Sequence, residues 1–445
     1  MRRTSTGEIA AYALPALPLA LLTLPLYVLV PAFYARELML PIASVGSALL
    51  AVRIIDALAD PLTGLFADRW KPKFGRRRIW VLLASLPTAL GTYLVFTPPA
   101  DAGLFYLTFW GVILSVASTA VLVPYAAWGA ELATDYAGRA RVTAWRETFA
   151  LVGTLLALFA QALVPKAGFP GEGSVLFALG LFTLITLPLA ALVCVARVPE
   201  PRDHSKKPLP LRESLKQLVG NRPFIRLIFA FLLNGFANGF PATLFLFYVS
   251  EKLGVGAMAG PLLVLYFFCG MAGVPFWLWL ARKTSKHVAW CWGMALACLC
   301  FAPAPFLGAG DVTLFAAVCI GTGLALGADL VLPPAIQADV IDVDTAATGE
   351  QRSGLYFAAW GLATKLALAL AVGVAFPLLG TAGFDPGAGL RSDAGLAMLG
   401  FLYAGLPIVL KIGAAALMWR FPIDAQMQAD LRAQIEGSSV AQRLK

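Results

Sequence analysis

The chain alternates between long apolar runs and short breaks that are polar or rich in proline and glycine. Most runs hold about twenty residues, which is the length that a helix needs to cross a hydrocarbon core of roughly 30 Å. The pattern therefore predicts an all-α membrane protein with twelve transmembrane helices. We place them at residues 9–35, 42–67, 79–98, 103–130, 141–164, 174–197, 224–250, 258–281, 287–307, 312–337, 353–379 and 395–419.

One long polar segment in the middle of the chain separates six predicted helices from the other six. It is rich in proline and in charges of both signs, as expected of a solvated linker. The segment Gly64–Arg78 after the second helix has a weaker counterpart in Gly273–Lys286 after the eighth helix, which favours two duplicated halves. We predict a six-helix bundle at 1–197, a linker at 198–222, a second six-helix bundle at 223–422 and a tail at 423–445.

Lysine and arginine are concentrated in alternate breaks, among them Arg69–Arg78, the linker and Arg282–Lys286. By the positive-inside rule these breaks, the linker, the tail and both termini face the cytoplasm. The first apolar run is too long for a signal peptide and has no clear cleavage site, so we expect no cleaved leader. The predicted location is the cell inner membrane, which the chain crosses many times.

The composition narrows the class of protein. Charged residues make up 13% of the chain, against roughly 25% in soluble domains, and a dozen apolar runs exceed what one soluble core can enclose. The net charge of +9 is spread over short breaks rather than over one face, which argues against nucleic-acid binding. The two histidines and six cysteines have no metal-ligand spacing. We expect a monomer in the lipid bilayer that binds a small-molecule substrate, with no cofactor, no metal site and no enzymatic activity.

The second predicted helix carries Arg53, Asp56 and Asp60 within an apolar run. Spacings of three and four residues put all three side chains on one face. An ionised carboxylate in hydrocarbon costs about 2.5–3.5 kcal/mol, so this face must meet protein or a water-filled cavity. Such a cluster is typical of a cation or proton site. An Arg53–Asp56 salt bridge that only fixes helix packing is the alternative, but it leaves Asp60 unexplained.

Lys365 lies about twelve residues into the eleventh predicted helix, roughly 18 Å from its cytoplasmic end. That depth matches the level of Asp56. An ammonium group beside two carboxylates can compete with a coupling cation or share a proton with them. The predicted cation site therefore consists of Asp56, Asp60 and Lys365.

A second set of polar or aromatic residues inside the helices forms the candidate substrate site. Its members are Arg53, Trp128, Arg146, Asn234, Asn238 and Asp329. Hydrogen bonding between helices is an equally good account of the two asparagines, and Trp128 can serve as an interfacial anchor instead.

Three more charged positions bear on these sites. Arg146 and Glu147 are neighbours on different helix faces, so we expect only one of them to reach a cavity. Lys411 in the last helix is placed at the membrane interface. Asp68 should lie near the start of the eleventh helix, where a carboxylate interacts favourably with the positive helix end. That contact can latch an outward-open state, although a solvated loop acid is the simpler alternative.

Two blocks of residues have a more specific pattern. The first is Asp56-Ala-Leu-Ala-Asp60-Pro61-Leu-Thr-Gly64, continuing through Asp68-Arg69 to Gly75-Arg76-Arg77-Arg78, and the second is Ala338-Asp339-Val340-Ile341-Asp342 followed by Thr348–Tyr356 and Lys365. Together they resemble the glycoside-pentoside-hexuronide:cation symporters of the major facilitator superfamily, which include melibiose permease. The resemblance spans most of the chain.

The resemblance implies the major facilitator fold, Asp56 and Asp60 as cation ligands with Lys365 nearby, and substrate contact by Arg146. Because Asp68 is embedded in the first block, we assign Gly64, Asp68, Arg69 and Arg76 to a gate.

The chain departs from the sugar-transporting members, which place one carboxylate in the first helix and another in the fourth. Residues Ala10–Tyr34 contain no acid, and Glu131 comes only at the end of the fourth helix. The same family includes lysolipid symporters with more apolar cavities. We predict a Na⁺- or H⁺-coupled secondary transporter that works by alternating access on a glycoside or an amphipathic, lipid-like solute. A proton-driven exporter or lipid translocator of the same fold is the alternative.

Overall fold

The computed structural model describes residues 4–70, 72–169, 171–201, 211–385 and 390–443. Residues 202–210 of the predicted linker and 444–445 of the predicted tail lie outside the described residues. Within the described ranges the chain is helical apart from two short antiparallel strands, β1 (Phe384–Asp385) and β2 (Leu390–Arg391). The predicted all-α class is therefore confirmed.

The first predicted helix, at 9–35, is interrupted rather than continuous. It consists of three segments, α1 (Thr6–Ala13), α2 (Ala16–Leu21) and α3 (Thr23–Arg36). Pro15 directly precedes α2, and a proline has no N–H to donate to the preceding turn. The prediction of one unbroken helix was wrong because it followed apolar length and ignored Pro15.

The other helices follow the predicted order. They are α4 (Ile42–Arg69), α5 (Arg78–Phe96), α6 (Leu104–Leu132), α7 (Tyr136–Leu163), α8 (Glu172–Arg197), α9 (Leu211–Gly220), α10 (Arg222–Phe247), α11 (Ala259–Lys283), α12 (Lys286–Phe301), α13 (Val312–Thr348), α14 (Ser353–Thr381), α15 (Asp393–Gly400), α16 (Leu406–Met418) and α17 (Ala425–Arg443). The sequence did not predict α9 and α17, which are short or polar helices at the linker and the tail. A π-helical segment, Phe401–Gly405, joins α15 to α16.

Ten helices of the described chain are long and apolar enough to cross a membrane, and Thr6–Leu21 is a shorter apolar stretch. Helix α4 has 28 residues and is long enough to cross a membrane. It is not among the ten because it carries three charged residues, Arg53, Asp56 and Asp60, at its centre. When α4 and the interrupted first helix are included, each of the twelve predicted crossings has a helical counterpart among the described residues.

The chain divides into two compact units. The first comprises residues 1–208 and 348–361, and the second comprises 209–347 and 362–445. In the first unit, Val81 of α5, Leu107 and Val121 of α6, and Leu176 of α8 are fully buried in one apolar core. These side chains pack α5 against both α6 and α8, and α4 packs against α6.

In the second unit, glycines allow helices α11 and α13 to approach closely. A Cβ at Gly323 would lie 2.5 Å from the carbonyl oxygen of Tyr266, and one at Gly273 would lie 2.7 Å from that of Leu324. Small residues at such crossings are typical of membrane helices, where association depends on close packing rather than on hydrophobic burial. Tyr248 stacks on Tyr403 within the apolar core of this unit, with ring centroids 4.2 Å apart.

Helix α17 packs one face against the second unit. Leu431 and Ile435 are buried, and Arg432 Nε donates to Asp342 Oδ2 over 2.8 Å near the end of α13. Both side chains of this ion pair are nearly inaccessible to solvent, at 8% and 4% exposure. A buried ion pair is weak evidence of net stabilisation, but removing one partner leaves the other charge buried without compensation, which is strongly destabilising.

We therefore predict that Arg432→Met lowers the free energy of unfolding in detergent by about 3 kcal/mol, because the cation that faces Asp342 is removed. Denaturant titration followed by tryptophan fluorescence would measure the loss. Asp430→Ala on the same helix removes only an exposed hydrogen bond from Gln426 and should change the value by less than about 0.5 kcal/mol. Equal losses in the two variants would contradict the prediction.

Candidate functional site

Two acids of α4, Asp56 and Asp60, which we call the acid pair, are buried at 8% and 2% exposure. They lie one helical turn apart and meet the same hydroxyl, because Thr119 Oγ1 of α6 is 3.1 Å from Asp56 Oδ1 and 3.1 Å from Asp60 Oδ1. The two carboxylate oxygens are therefore within about 6 Å of each other. Sequence analysis found the two acids but missed Thr119.

The hydroxyl at the centre of this arrangement carries one proton. It can donate to one carboxylate only, and its lone pairs then face the other. Two ionised carboxylates at this separation also repel each other in a medium of low dielectric constant. A proton on one acid, a small cation held by the oxygens or a neighbouring guanidinium such as that of Arg53 reduces this repulsion. The three oxygens are hard ligands of the kind that suit Na⁺ rather than a transition metal.

The described residues contain no group of three or more His, Cys, Asp or Glu side chains that could hold a metal ion. The acid pair with its threonine brings together two carboxylates and one neutral oxygen. Arg53 lies one turn before Asp56 and is half-buried.

Helix α14 passes directly against the acid pair. A Cβ at Gly361 would lie 3.2 Å from Asp60 Oδ2, so the bare glycine backbone leaves room for the carboxylate. Lys365 comes four residues later on the same helix, which is one helical turn, and it is half-buried. Its part in a cation site stays a prediction.

At the end of α4, the contact that we predicted for Asp68 is present. Asp68 Oδ1 accepts a hydrogen bond from the Gly354 N–H and Oδ2 accepts one from the Leu355 N–H, each at 2.9 Å. These are among the first N–H groups of α14, which have no partner within the helix. The carboxylate therefore binds the positive helix end, as its charge favours.

Two glycines make this contact possible. A Cβ at Gly64, one turn before Asp68, would lie 2.5 Å from the carbonyl oxygen of Gly354 and 2.7 Å from the Cβ of Ala358. A Cβ at Gly354 would in turn lie 2.6 Å from the carbonyl oxygen of Gly64. The two helices touch backbone to backbone at this point.

A buried charge network surrounds Asp68. Arg77 Nη2 donates to Asp68 Oδ1 over 2.8 Å and to Glu131 Oε1 over 2.6 Å, and Arg76 Nη2 donates to both oxygens of Glu131 over 2.9 Å. Arg76 also donates to the Gln351 carbonyl over 3.3 Å. We call Asp68, Arg76, Arg77 and Glu131 the latch cluster.

The fully buried Arg77 is the centre of the latch cluster, and sequence analysis missed it. Burial alone would lower the pKa of Arg77, but the carboxylates of Glu131 and Asp68 raise it above its usual range, so the guanidinium stays charged. Arg69, which we assigned to the gate, has an exposed side chain at the end of α4. Arg76, which we also assigned to the gate, lies within the cluster, and its part in gating stays a prediction.

Trp128 of α6 has no solvent exposure. Its Nε1 donates to the Pro199 carbonyl over 3.1 Å, and its ring packs edge-on against Tyr12 at 6.5 Å. The indole face that we expected to meet a substrate ring is thus covered by protein. The signal for a structural role, a partner 71 residues further along the chain, is not visible in the sequence.

The neighbouring residues Arg146 and Glu147 of α7 form an ion pair, with a nitrogen–oxygen distance of 3.0 Å from Arg146 Nε. The long arginine folds back onto its neighbour, and the expectation that only one of the two reaches a cavity stays a prediction. Both are about one-sixth exposed, so the pair can present charge to a ligand.

In the second unit, three helices, α10, α12 and α16, direct polar groups at Asp329 of α13. Asp329 accepts hydrogen bonds from Asn238 (3.0 Å) and Trp290 (2.7 Å) and pairs with Lys411 at 3.1 Å. Lys411 also donates to Asn234 over 2.8 Å. Three predicted substrate residues therefore lie together, while the interfacial placement of Lys411 was wrong because its ammonium is buried against Asp329.

Comparisons with known proteins agree with this architecture. A family described as MFS/sugar transport protein matches residues 11–425. The inner membrane symporter YicJ of Escherichia coli is 23% identical over 401 residues, covering 87% of this chain and 85% of the relative. The sodium-dependent lysophosphatidylcholine symporter 1-A of Danio rerio is 23% identical over 419 residues, covering 84% of this chain and 77% of the relative.

Two solved structures show the same fold. A bacterial homologue of the iron transporter ferroportin in an outward-facing state superposes with a TM-score of 0.70 at 15% identity, covering 94% of this chain and 98% of that chain. The E. coli fucose:proton symporter FucP superposes with a TM-score of 0.66 at 14% identity, covering 92% and 97%. Identities this low show the fold alone.

The glycine contact leads to a prediction about the Asp68 hydrogen bonds. In Gly64→Val, the added side chain forces α4 away from Gly354, and the amides of Gly354 and Leu355 should exchange hydrogen for deuterium about tenfold faster, since a bond to a charged group contributes about 1.5–3 kcal/mol. Mass spectrometry of the peptide that contains both amides measures this. Gly46→Val is the matched control on α4, because a Cβ at Gly46 has no atom within 4 Å. Unchanged exchange in Gly64→Val would refute the contact.

Proposed function

Because the chain belongs to the MFS/sugar transport protein family, which matches residues 11–425, we propose that it is a cation-coupled secondary transporter that works by alternating access. Its substrate in this proposal is a glycoside or an amphipathic, lipid-like solute. The relatives include a putative glycoside/cation symporter, YagG of E. coli, as well as sodium-dependent lysophosphatidylcholine symporters, so both substrate classes have support. The chain moves its substrate across the bilayer and has no catalytic role in this proposal.

The observation that carries the proposal is the acid pair around Thr119. Two buried carboxylates on either side of one hydroxyl concentrate negative charge and oxygen ligands at one point, and a membrane transporter can use such a site to couple a cation to its cycle. The ion is Na⁺ or a proton. Lys365, one turn beyond the glycine that lies against Asp60, supplies a competing ammonium when the ion has left.

Coupling follows from differential binding. Occupation of the acid pair neutralises its charge and favours the state that binds substrate, and substrate in turn favours occupation of the pair. A ligand can shift an equilibrium between two states only by the difference between its binding free energies for them. The cation must therefore bind the substrate-competent state more tightly.

The latch cluster supplies the conformational part of the proposal. Asp68 holds the first N–H groups of α14, and Arg77 fixes the Asp68 carboxylate from the other side. We infer that these bonds close the cytoplasmic side and open once in each transport cycle. The backbone contact of Gly64 with Gly354 lets the closed form pack tightly.

Substrate contact is proposed for two groups of residues. In the first unit these are Arg53 and the ion-paired Arg146, and in the second they are Asn234, Asn238 and Asp329. The lack of an acid in Ala10–Tyr34 supports a less polar solute than a free sugar. In the cell the proposal places a monomer in the inner membrane with both termini in the cytoplasm.

Binding of radioactive Na⁺ to the purified protein tests the acid pair. Asp56→Asn and Asp60→Asn should each weaken Na⁺ binding at least tenfold, equivalent to about 1.4 kcal/mol, and Thr119→Val should weaken it several-fold because one neutral ligand is lost. For a proton-coupled protein the same variants should each take up about one proton fewer per molecule than the wild type when a weakly buffered sample is acidified.

Thr88→Val is the control for Thr119→Val. Thr88 is buried on the adjacent α5, but its hydroxyl donates only to its own helix at Ala84, so its loss should leave cation binding at the wild-type level. Wild-type binding of both Na⁺ and protons in the two asparagine variants would exclude the proposed cation site.

Proteoliposome uptake tests the transport itself. With a labelled methyl glucoside and a fluorescent lysophosphatidylcholine as probes, an inward Na⁺ or proton gradient should accelerate the entry of one probe several-fold, and Asp60→Asn should remove the acceleration. Entry that is independent of both gradients in the wild type would show that the protein is not a cation-coupled importer. Acceleration by an outward gradient would favour an exporter.

A further inference from the structure

The three residues that follow α8, Val198, Pro199 and Glu200, are each held by a different group of the first unit. Arg78 Nη2 donates to the Val198 carbonyl over 2.6 Å, and Trp128 Nε1 donates to the Pro199 carbonyl over 3.1 Å. The Glu200 carboxylate accepts hydrogen bonds from the N–H groups of Arg77 and Arg78 over 2.7 and 3.2 Å. We propose that Val198–Glu200 is a strap that fixes the loop before α5, and that Glu200 is a positioning residue for Arg77.

Glu200 acts as the N-terminal cap of α5. The residue at the cap position is Arg77, whose own side chain makes no capping hydrogen bond. The first N–H groups of a helix need acceptors from outside the helix, and a carboxylate there also interacts favourably with the helix dipole. The acceptor comes from a residue 123 positions further along the chain. The local sequence around α5 therefore does not predict that Glu200 caps this helix.

Gly75 fits the same explanation. Its φ angle of +127° is one that side chains rarely allow, and a Cβ at this position would lie 2.7 Å from Glu200 Oε2. The space beside Gly75 is thus filled by the Glu200 carboxylate. The loop is shaped to receive this acid.

Trp128 and Arg78 position the strap rather than a substrate. Trp128 is fully buried on α6, three residues before Glu131, so its hydrogen bond ties the Pro199 backbone to the helix that carries the acid of the latch cluster. This contact gives a physical reason for a tryptophan at a position where sequence analysis expected a ligand-binding or interfacial ring.

Arg77 is consequently held at both ends. Its backbone N–H is bound by Glu200, and its guanidinium is bound by Asp68 and Glu131. If Glu200 is removed, the loop before α5 loses a contact that holds it in place. The Arg77 guanidinium is then no longer fixed in position beside Asp68. Glu200 thereby acts on the latch cluster through the loop before α5. This role in gating rests on the proposed function.

Hydrogen–deuterium exchange of the full-length protein in detergent tests the strap at two places. In Glu200→Ala, the amides of Arg77 and Arg78 should exchange at least tenfold faster because their acceptor is gone. The amides of Gly354 and Leu355, which Glu200 does not touch, should exchange at least threefold faster because Arg77 no longer orients Asp68. Glu200→Gln keeps one acceptor oxygen and should give intermediate rates at both places, which a loss of general packing would not produce.

Asp135→Ala is the matched control, since Asp135 is the capping acid of α7 and accepts from the Gly138 N–H over 2.8 Å. It should speed exchange at the start of α7 and leave Gly354 and Leu355 at the wild-type rate. Faster exchange in Glu200→Ala that is confined to Arg77 and Arg78 would overturn the positioning role, as would an equal effect of Asp135→Ala at Gly354. Glu200→Gln decides the test alone if the alanine variant does not fold.

Radioactive Na⁺ binding separates this test from that of the proposed function. The Glu200 variants should still bind Na⁺ with the wild-type stoichiometry, because the acid pair is not altered. Failure of every protein, wild type included, to bind a cation would sink the proposed function, while the exchange rates would still decide the strap.

Discussion

An ionised carboxylate loses most of its hydration when it enters a membrane-spanning helix bundle, and α4 carries two of them one turn apart. Asp56 and Asp60 meet a single hydroxyl, Thr119, which can donate only one proton. The arrangement concentrates negative charge at one point of α4, and in the function proposed above a mobile cation or proton binds there. The substrate contacts, the latch and the strap matter for transport only if this charge enters and leaves.

Glycine-permitted contacts connect that requirement to motion. Gly361 brings α14 against Asp60, and Gly354, seven residues earlier on the same helix, lies against Gly64 and Asp68. One helix thus touches α4 both at the acid pair and at its end. A change of charge at the first place and a loss of hydrogen bonds at the second act on the same rigid element, which is the physical route by which an ion can influence a latch.

Much of this could be predicted from the sequence where the signal is local. The apolar runs predict the helices, spacing predicts that Asp56 and Asp60 share a face, and the preference of carboxylates for helix N-termini predicts the contact of Asp68 with α14. Pro15, which interrupts the first helix, was also visible in the sequence, but the prediction gave more weight to apolar length.

The remaining features depend on which helix faces which, and that register has no local signal. Thr119 contacts acids 59 and 63 residues away, Arg77 binds Glu131 54 residues away, and Glu200 binds the Arg77 N–H 123 residues away. Lys411 shows the same limit, because a lysine near the middle of an apolar helix can be interfacial or buried, and only Asp329 on another helix decides between the two.

Infrared difference spectroscopy of the carboxyl groups tests the central claim most directly. If the acid pair must hold one positive charge, the wild type in Na⁺-free buffer should show a protonated carboxyl band that disappears when Na⁺ is added or when the pH is raised. The band should be missing from Asp56→Asn or Asp60→Asn. A band that persists unchanged in both variants, or a wild type with none under any condition, would contradict the account.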